Sequence, residues 1–391
     1  MKIVHLSNDE KFLPLARSLF EEAFPGQNRY LVAKARRGGL RHVAPAPDVC
    51  HRRALYFRSL WIARDLAAAD CLVVHLMSSR FAPALRHVRA DCLVVWIAGG
   101  GDYMQLLEAR LGSLLLPRTA ELMDSLQHGT VRHGPLRQVW DGLRSGLRPR
   151  LAGDSAAAPK APAVLAVAHR IDVFSANPAD ARLLREALPS LRAAHHAIPS
   201  FTVEDIFAAG TPAMAGPDVL LGNSASPANN HIEALSLLRE RVPAGGRLVA
   251  PLSYGKAPRG YAPAVVEAGR AALGDRFEPI GGWLPIEAYN TRIARCGWVF
   301  MNHRRQQAVG NICAALYRGA TVYMRRDNPL YGFFADLGVA LFAIETLETD
   351  PAAPLSSLSA EQRQRNRQAI DARYGRAKVV AAVRGLQAFR R

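Results

Sequence analysis

Apolar residues in this chain gather into short continuous runs: KIVHLS (2–7), CLVVHL (71–76), CLVVWIA (92–98), AVLAVAH (163–169), DVLLGN (218–223), RLVAPLS (247–253), WVFMNH (298–303) and ATVYM (320–324). Continuous runs of this length suit strands buried on both faces, whereas half-solvated strands alternate apolar and polar positions. Between most of them the apolar spacing lengthens to three or four, as in EALSLLRERV and NICAALYRG, which predicts helices. Strand and helix in alternation predict an α/β fold with parallel sheets. The runs form two sets separated by DIFAAGTPAMAGP near 205–217, so the expected architecture is two Rossmann-like domains facing across a cleft. The expected divisions are 1–210, 211–358 and a helical tail over 359–391 with Ser359 as N-cap. An Ala-, Pro- and Gly-rich segment over 144–162 reads as a surface loop interrupting the first domain.

Length agrees, since 391 residues exceed one ordinary α/β domain and suffice for two cores. Charge adds a constraint on partners. The formal net charge is +17, a balance that suits nucleic acid, an anionic membrane or a phosphorylated substrate, and an arginine- and alanine-rich composition also follows from a GC-rich genome. Five cysteines, Cys50, Cys71, Cys92, Cys296 and Cys313, show no CxxC spacing, which fits a reducing cytoplasm and argues against a disulfide scaffold or zinc site. The apolar stretch after Lys2 is too short for a signal peptide, and no run reaches the ~18 residues of a membrane span. Any work at a membrane is therefore expected at its surface, on the cytoplasmic side.

Polar strand ends carry the candidate chemistry. The run ending in Leu221 stops at Gly222, Asn223 and Ser224, and Ser226–Pro227 then has the form of an N-cap and N1 pair before a helix with Ile232, Leu235, Leu238 and Val242 on one face. Such a turn is either a well-capped connection or a phosphate cradle. WVFMNH leads into Arg304, Arg305, Gln306 and Gln307, with Gly310 and Asn311 entering the next helix, and ATVYM into Arg325, Arg326, Asp327 and Asn328. Guanidinium and amide groups at helix N-termini suit a diphosphate, and Tyr254 after RLVAPLS stands at the same end of the same predicted sheet. In the first half a strand ends in Gly99, Gly100 and Gly101 and then Asp102, which reads either as a helix N-cap or as a general base, and His75 ends the preceding strand. Arg52, Arg53 and Arg58 interleaved with Tyr56, Phe57 and Trp61, and the basic run 33–42, suit an anionic bilayer surface or a solvated helix face; no nucleic-acid-binding module is recognisable.

In order and spacing, LLGNSASPANNHIEAL, VAPLSYG with Tyr261 seven residues after Tyr254, EAYNTRIARCG, RQQAVGNICAALYRGATV and RDNPLYG resemble the bacterial 4-α-L-fucosyltransferase family over about 218–345. Trp96 to Asp102, His75 and the AIPS ending at Ser200 are weaker counterparts in the first half. Lys256, His303, Arg304 and the 144–162 loop depart from the family pattern.

The resemblance implies a GT-B glycosyltransferase without a metal or cofactor, with donor held by the C-terminal domain and acceptor by the N-terminal one. It also implies inverting transfer of an N-acetylfucosamine-like sugar from a TDP-sugar to an undecaprenyl-diphosphate-linked saccharide, in surface polysaccharide synthesis at the inner face of the inner membrane. On this reading Asp102 and His75 are catalytic, while Gly222, Asn223, Ser224, Tyr254, Arg305, Gln306, Gln307, Gly310, Asn311 and Asn328 hold the donor. The alternatives are a non-catalytic nucleotide-sugar or glycan-binding protein and a nucleotide-sugar epimerase of the same build.

Overall fold

The computed structural model describes residues 1–33, 42–129, 162–206, 211–255 and 257–390. Its first sheet contains β1 (Ile3–Asn8), β2 (Asn28–Ala33), β3 (Val49–Arg52), β4 (Cys71–His75), β5 (Leu93–Ile97), β6 (Val173–Ser175) and β7 (Ala194–His195), in the order β3-β2-β1-β4-β5-β6-β7. The second contains β8 (Asp218–Leu221), β9 (Leu248–Pro251), β10 (Phe277–Ile280), β11 (Cys296–Met301), β12 (Thr321–Met324) and β13 (Phe342–Ala343), in the order β10-β9-β8-β11-β12-β13. All the described strand pairs are parallel. The continuous apolar runs have the cause inferred for them, because Leu72, Val73 and Val74 of β4 and Val219, Leu220 and Leu221 of β8 are buried whichever face they point to.

Chain order positions the site. From β1 the chain builds outward through β2 and β3, then returns to the other side of β1 to lay β4; β8, β9, β10 and β11 repeat the pattern. Each sheet thus has a switch point, β1/β4 in the first and β8/β11 in the second. Loops leaving the carboxyl ends there diverge and open a crevice.

Several expectations are corrected. AVLAVAH is two 3-10 turns, Ala163–Ala166 and Ala168–Arg170, and the strand follows at Val173. Val164 and Ala168 are buried while Leu165 is exposed, a four-residue spacing that suits helical turns, and the small alanines have little β preference. Ser226 does not cap the α-helix: a 3-10 turn over Pro227–Asn229 intervenes, and the helix His231–Leu238 starts after Asn230 in the left-handed region. The helix Pro117–Gly129, assigned by position to the first half, packs on the second sheet's helices, where Thr119 Oγ1 donates to Glu233 at 2.5 Å and Asn230 Oδ1 accepts from the Leu116 amide at 2.8 Å.

The tail is helical over Ala360–Tyr374, with Ser359 and Gln362 forming a reciprocal capping box. Ile370 and Tyr374 join the second sheet's core, whereas Val379, Val380 and Val383 of the next helix, Arg376–Arg384, pack under the first sheet. The tail therefore spans both halves. The basic run 33–42, apart from its two end residues, the segment 144–162 up to Pro162, and Lys256 lie outside the described residues. No described helix is long and apolar enough to cross a membrane.

Candidate active site

A cavity of about 620 Å³ lies between the two sheets, within the range of small-ligand pockets. Both switch points open onto it. From the first sheet come Ser7 near the end of β1 with Glu10, Lys11 and Phe12 after it, His75 at the end of β4 with Leu76 after it, and Gly99–Gly101 after β5. Opposite them stand Asn223 after β8, Tyr254 after β9 and Arg305–Asn311 after β11. The two walls meet where Lys11 Nζ lies 5.7 Å from the centre of the Tyr254 ring.

Of the ten residues expected to hold a donor, Asn223, Tyr254, Arg305, Gln306, Gln307, Gly310 and Asn311 line this cavity. A chain of amides organises three of them: Gln307 Nε2 donates to Asn223 Oδ1 at 2.8 Å, and Asn223 Nδ2 donates to the Tyr254 hydroxyl at 3.2 Å. Gln307 Oε1 is buried and has no hydrogen-bond partner among the described residues. The helix Val309–Tyr317 begins here after Ala308, a non-glycine residue at φ 58°. Val309, Gly310 and Asn311 of its first turn line the cavity, and the first amides of a helix have no partner within the helix.

Arg305 is the charge beside that turn. Among the described residues it forms no ion pair; its guanidinium donates only to the Gln306 carbonyl, at 3.4 Å. Burial pulls its pKa below the usual arginine value, opposed by the charges of Glu108, Asp180 and Tyr103. Unmatched positive charge next to free helix amides is the chemistry of a phosphate site.

The other three donor-site expectations do not line the cavity. Gly222 sits at φ 65°, where a Cβ would stand 2.8 Å from Asn229 Oδ1, so its role is to let the turn close. Ser224 is buried and its carbonyl accepts from Asn229 Nδ2 at 3.0 Å. Asn328 caps the helix Pro329–Asp336 and donates to the carbonyls of His303 and Arg305, at 2.8 and 2.9 Å. It thereby fixes the loop that presents Arg305.

Asp102 is likewise absent from the cavity wall. Its carboxylate accepts from the Met77 amide at 2.8 Å, Trp96 Nε1 at 2.7 Å and the Gly99 amide at 3.2 Å, tying the β4 and β5 loops together. Burial still outweighs these bonds and pushes its pKa up to about 6. Nor does it cap the helix Met104–Leu111, whose N-cap is Tyr103. The glycines are needed where Asp102 gathers the loops: a Cβ on Gly99 would lie 2.1 Å from Leu76 Cδ2, and Gly100 holds φ 81° beside Gln306.

His75 does line the cavity, in a defined tautomer. Asn28 Nδ2 donates to the carbonyls of Phe20 and Phe24, so Asn28 Oδ1 must accept from His5 Nε2, 3.2 Å away. His5 Nδ1 is then the acceptor for His75 Nε2–H at 3.0 Å, leaving His75 Nδ1 as that ring's acceptor nitrogen. Burial lowers His75 to about 4, so both rings are neutral at pH 7. Among the described residues no three His, Cys, Asp or Glu side chains group as a metal site.

Residues 201–364, which carry Arg305 and the helix start, match the family described as 4-alpha-L-fucosyltransferase, glycosyl transferase group 56. The protein is a glycosyltransferase. The resemblance read from the sequence is thus borne out over the second half of this glycosyltransferase.

The fold extends the likeness to the whole chain. Sucrose-phosphate synthase from Thermosynechococcus elongatus aligns over 99% of this chain and 98% of its own, with a TM-score of 0.63 at 11% identity. A glycosyltransferase from Rickettsia africae aligns over 99% and 98%, with 0.57 at 8% identity. WaaG, a glycosyltransferase involved in lipopolysaccharide biosynthesis, aligns over 99% and 95%, with 0.50 at 11% identity. At these identities the likeness concerns architecture, and that architecture is GT-B.

Proposed function

We propose that this glycosyltransferase takes its sugar from a nucleoside-diphosphate donor, TDP-linked, and passes it to a lipid-diphosphate-linked saccharide. The observation that carries the donor half is the placing of Arg305, which forms no ion pair among the described residues, beside the first turn of Val309–Tyr317 at the second switch point. There the donor diphosphate would accept from Arg305 and the helix amides, and Asn223, Gln307 and Tyr254 would orient the sugar. As the glycosidic bond to the nucleotide breaks, charge grows on the leaving phosphate oxygen and these donors hold it.

The acceptor enters from the first sheet on this reading, where Glu10 and His75 flank the other switch point. Support for a lipid-linked acceptor comes from a surface of the same domain: Leu55 (76% exposed), Leu60 (77%) and Trp61 (60%) stand among the exposed Arg53, Arg58 and Arg64. Arg64 lies 4.5 Å above the Trp61 ring. Aromatic and leucine side chains framed by arginine suit the interface of an anionic bilayer. Of the residues the sequence grouped there, Phe57 is buried in the core, and Tyr56 and Arg52 turn inward to Asp65. The TDP-N-acetylfucosamine donor and undecaprenyl acceptor rest on the family likeness.

A melting screen against TDP, UDP, GDP and CMP tests the donor. TDP is expected to raise Tm selectively, because a ligand that binds only the folded state stabilises it by RT ln(1 + [L]/Kd). A selective response to UDP or GDP would reassign the nucleotide, and no response to any would remove the site.

A further inference from the structure

The transfer proposed above needs a group to accept the proton of the attacking hydroxyl, and Asp102 has its carboxylate turned into the protein. Among the described residues lining the cavity, one carries a carboxylate, Glu10. It stands in the four-residue connection 9–12 between β1 and the helix Leu13–Ala23, at the first sheet's switch point, with His75 on the neighbouring strand end. One of its oxygens is anchored. Asn8 Oδ1 accepts from the Arg80 guanidinium, which turns the Asn8 amide so that Nδ2 donates to Glu10 Oε1 at 3.4 Å. Among the described residues Oε2 has no hydrogen-bond partner.

We infer that Glu10 is the catalytic base of the transfer, with Asn8 and Arg80 positioning its carboxylate. The inference rests on the transferase reading with inversion at the anomeric carbon. Glu10 Oε2 removes the acceptor hydroxyl's proton as that oxygen forms its bond to the anomeric carbon; the bond to the nucleoside diphosphate breaks, its electron pair leaving on the phosphate oxygen beside Arg305. The protonated Glu10 then returns its proton to water.

Burial raises the Glu10 pKa from the ordinary glutamate value, against smaller opposing effects from Asn8 and His42. A raised value improves a carboxylate as a base. Among the described residues its charged neighbours include Lys11, next in the chain and turned toward the Phe12 and Tyr254 rings, Asp9, whose Oδ1 accepts from the His42 and Val43 amides, and Arg80, which acts through Asn8. His75, neutral and lowered by burial, is the weaker base on the same wall.

Glu10→Gln keeps the shape and removes the basic oxygen. With TDP-N-acetylfucosamine and a short-chain polyprenyl-diphosphate disaccharide, acceptor-dependent TDP release is expected to fall by roughly a hundred- to ten-thousandfold. TDP affinity and Tm should stay at wild-type values, and the acidic limb of the kcat/KM–pH profile should vanish. Turnover near the wild-type rate would overturn the assignment, as would a parallel loss of stability and TDP binding, which would make Glu10 structural. NMR of the product separates the two levels of the argument. Retention of anomeric configuration overturns the base while transfer itself stands; no transfer by the wild-type protein, despite TDP binding, overturns the reading beneath it.

Discussion

Replacing Arg305 by methionine separates a binding site from a structural loop, because the two roles predict opposite signatures. Arg305 is half-buried, forms no ion pair among the described residues and is lowered in pKa by burial, so in the free protein its charge is held at a cost. Methionine fills much of the same space without the charge. Unfolding free energy without ligand should therefore be unchanged or rise, within about 1 kcal/mol. Donor affinity should fall. Charge-assisted hydrogen bonds from one guanidinium contribute about 1.5–3 kcal/mol, which corresponds to a roughly 10- to 150-fold weaker Kd for TDP. Urea denaturation of the free protein and calorimetric titration with TDP measure the two quantities. A destabilised Arg305→Met protein that binds TDP as well as the wild type would refute the reasoning, since it would show the guanidinium acting within the fold.

Other expectations follow from the same geometry. Asp102→Asn should leave the acidic limb of the pH–rate profile in place while raising the acceptor KM, because the Met77 and Gly99 loops lose a shared acceptor; disappearance of that limb in the folded variant would return the base to Asp102. Gly222→Ala forces a Cβ toward Asn229 at positive φ and should cost about 1–3 kcal/mol, seen as a Tm lower by ~3–10 °C; an unchanged Tm would show that the turn relaxes freely. Burial lowers His75 and His231 from 6.5 to about 4, so the folded protein takes up these protons later than the unfolded chain. Their stabilising contribution is complete above pH 6.5 and drains as pH falls toward about 4, by about 3 kcal/mol for each. Urea midpoints between pH 7 and 4 should decline accordingly, and a flat profile in His75→Gln and wild type alike would contradict the assignment of that loss to His75.

The second half was the more legible one because its site is written in consecutive residues. Gly-Asn-Ser after β8 and Arg-Gln-Gln after β11 stand out where strand runs stop, and strand ends are where open parallel sheets bind ligands. What could not be read locally was which polar groups face inward. Asn328 and Ser224 look like their neighbours in sequence but are consumed by helix capping and turn closure. Asp102 followed a glycine run and invited a catalytic reading, yet its three donors come from Met77, Trp96 and Gly99, and only packing brings the first of these near. Glu10 had a visible signal, since it follows the first strand run by three residues as Asn223 does DVLL by two, but an isolated acidic residue before a helix reads as surface. The short strands β3, β7, β10 and β13 lay below what periodicity detects; β10 even carries Pro279, tolerated because it is an edge strand.

The central claim is that the cleft joins a nucleotide-linked sugar to a separate acceptor. Purified protein with TDP-N-acetylfucosamine should release TDP only when the polyprenyl-diphosphate disaccharide is added, with one sugar appearing on the lipid for each TDP formed, followed by coupled assay and mass spectrometry. Tight TDP-sugar binding with no acceptor-dependent release would describe a binding protein, and rearrangement of the sugar on its nucleotide without acceptor would describe an epimerase; either result contradicts the account.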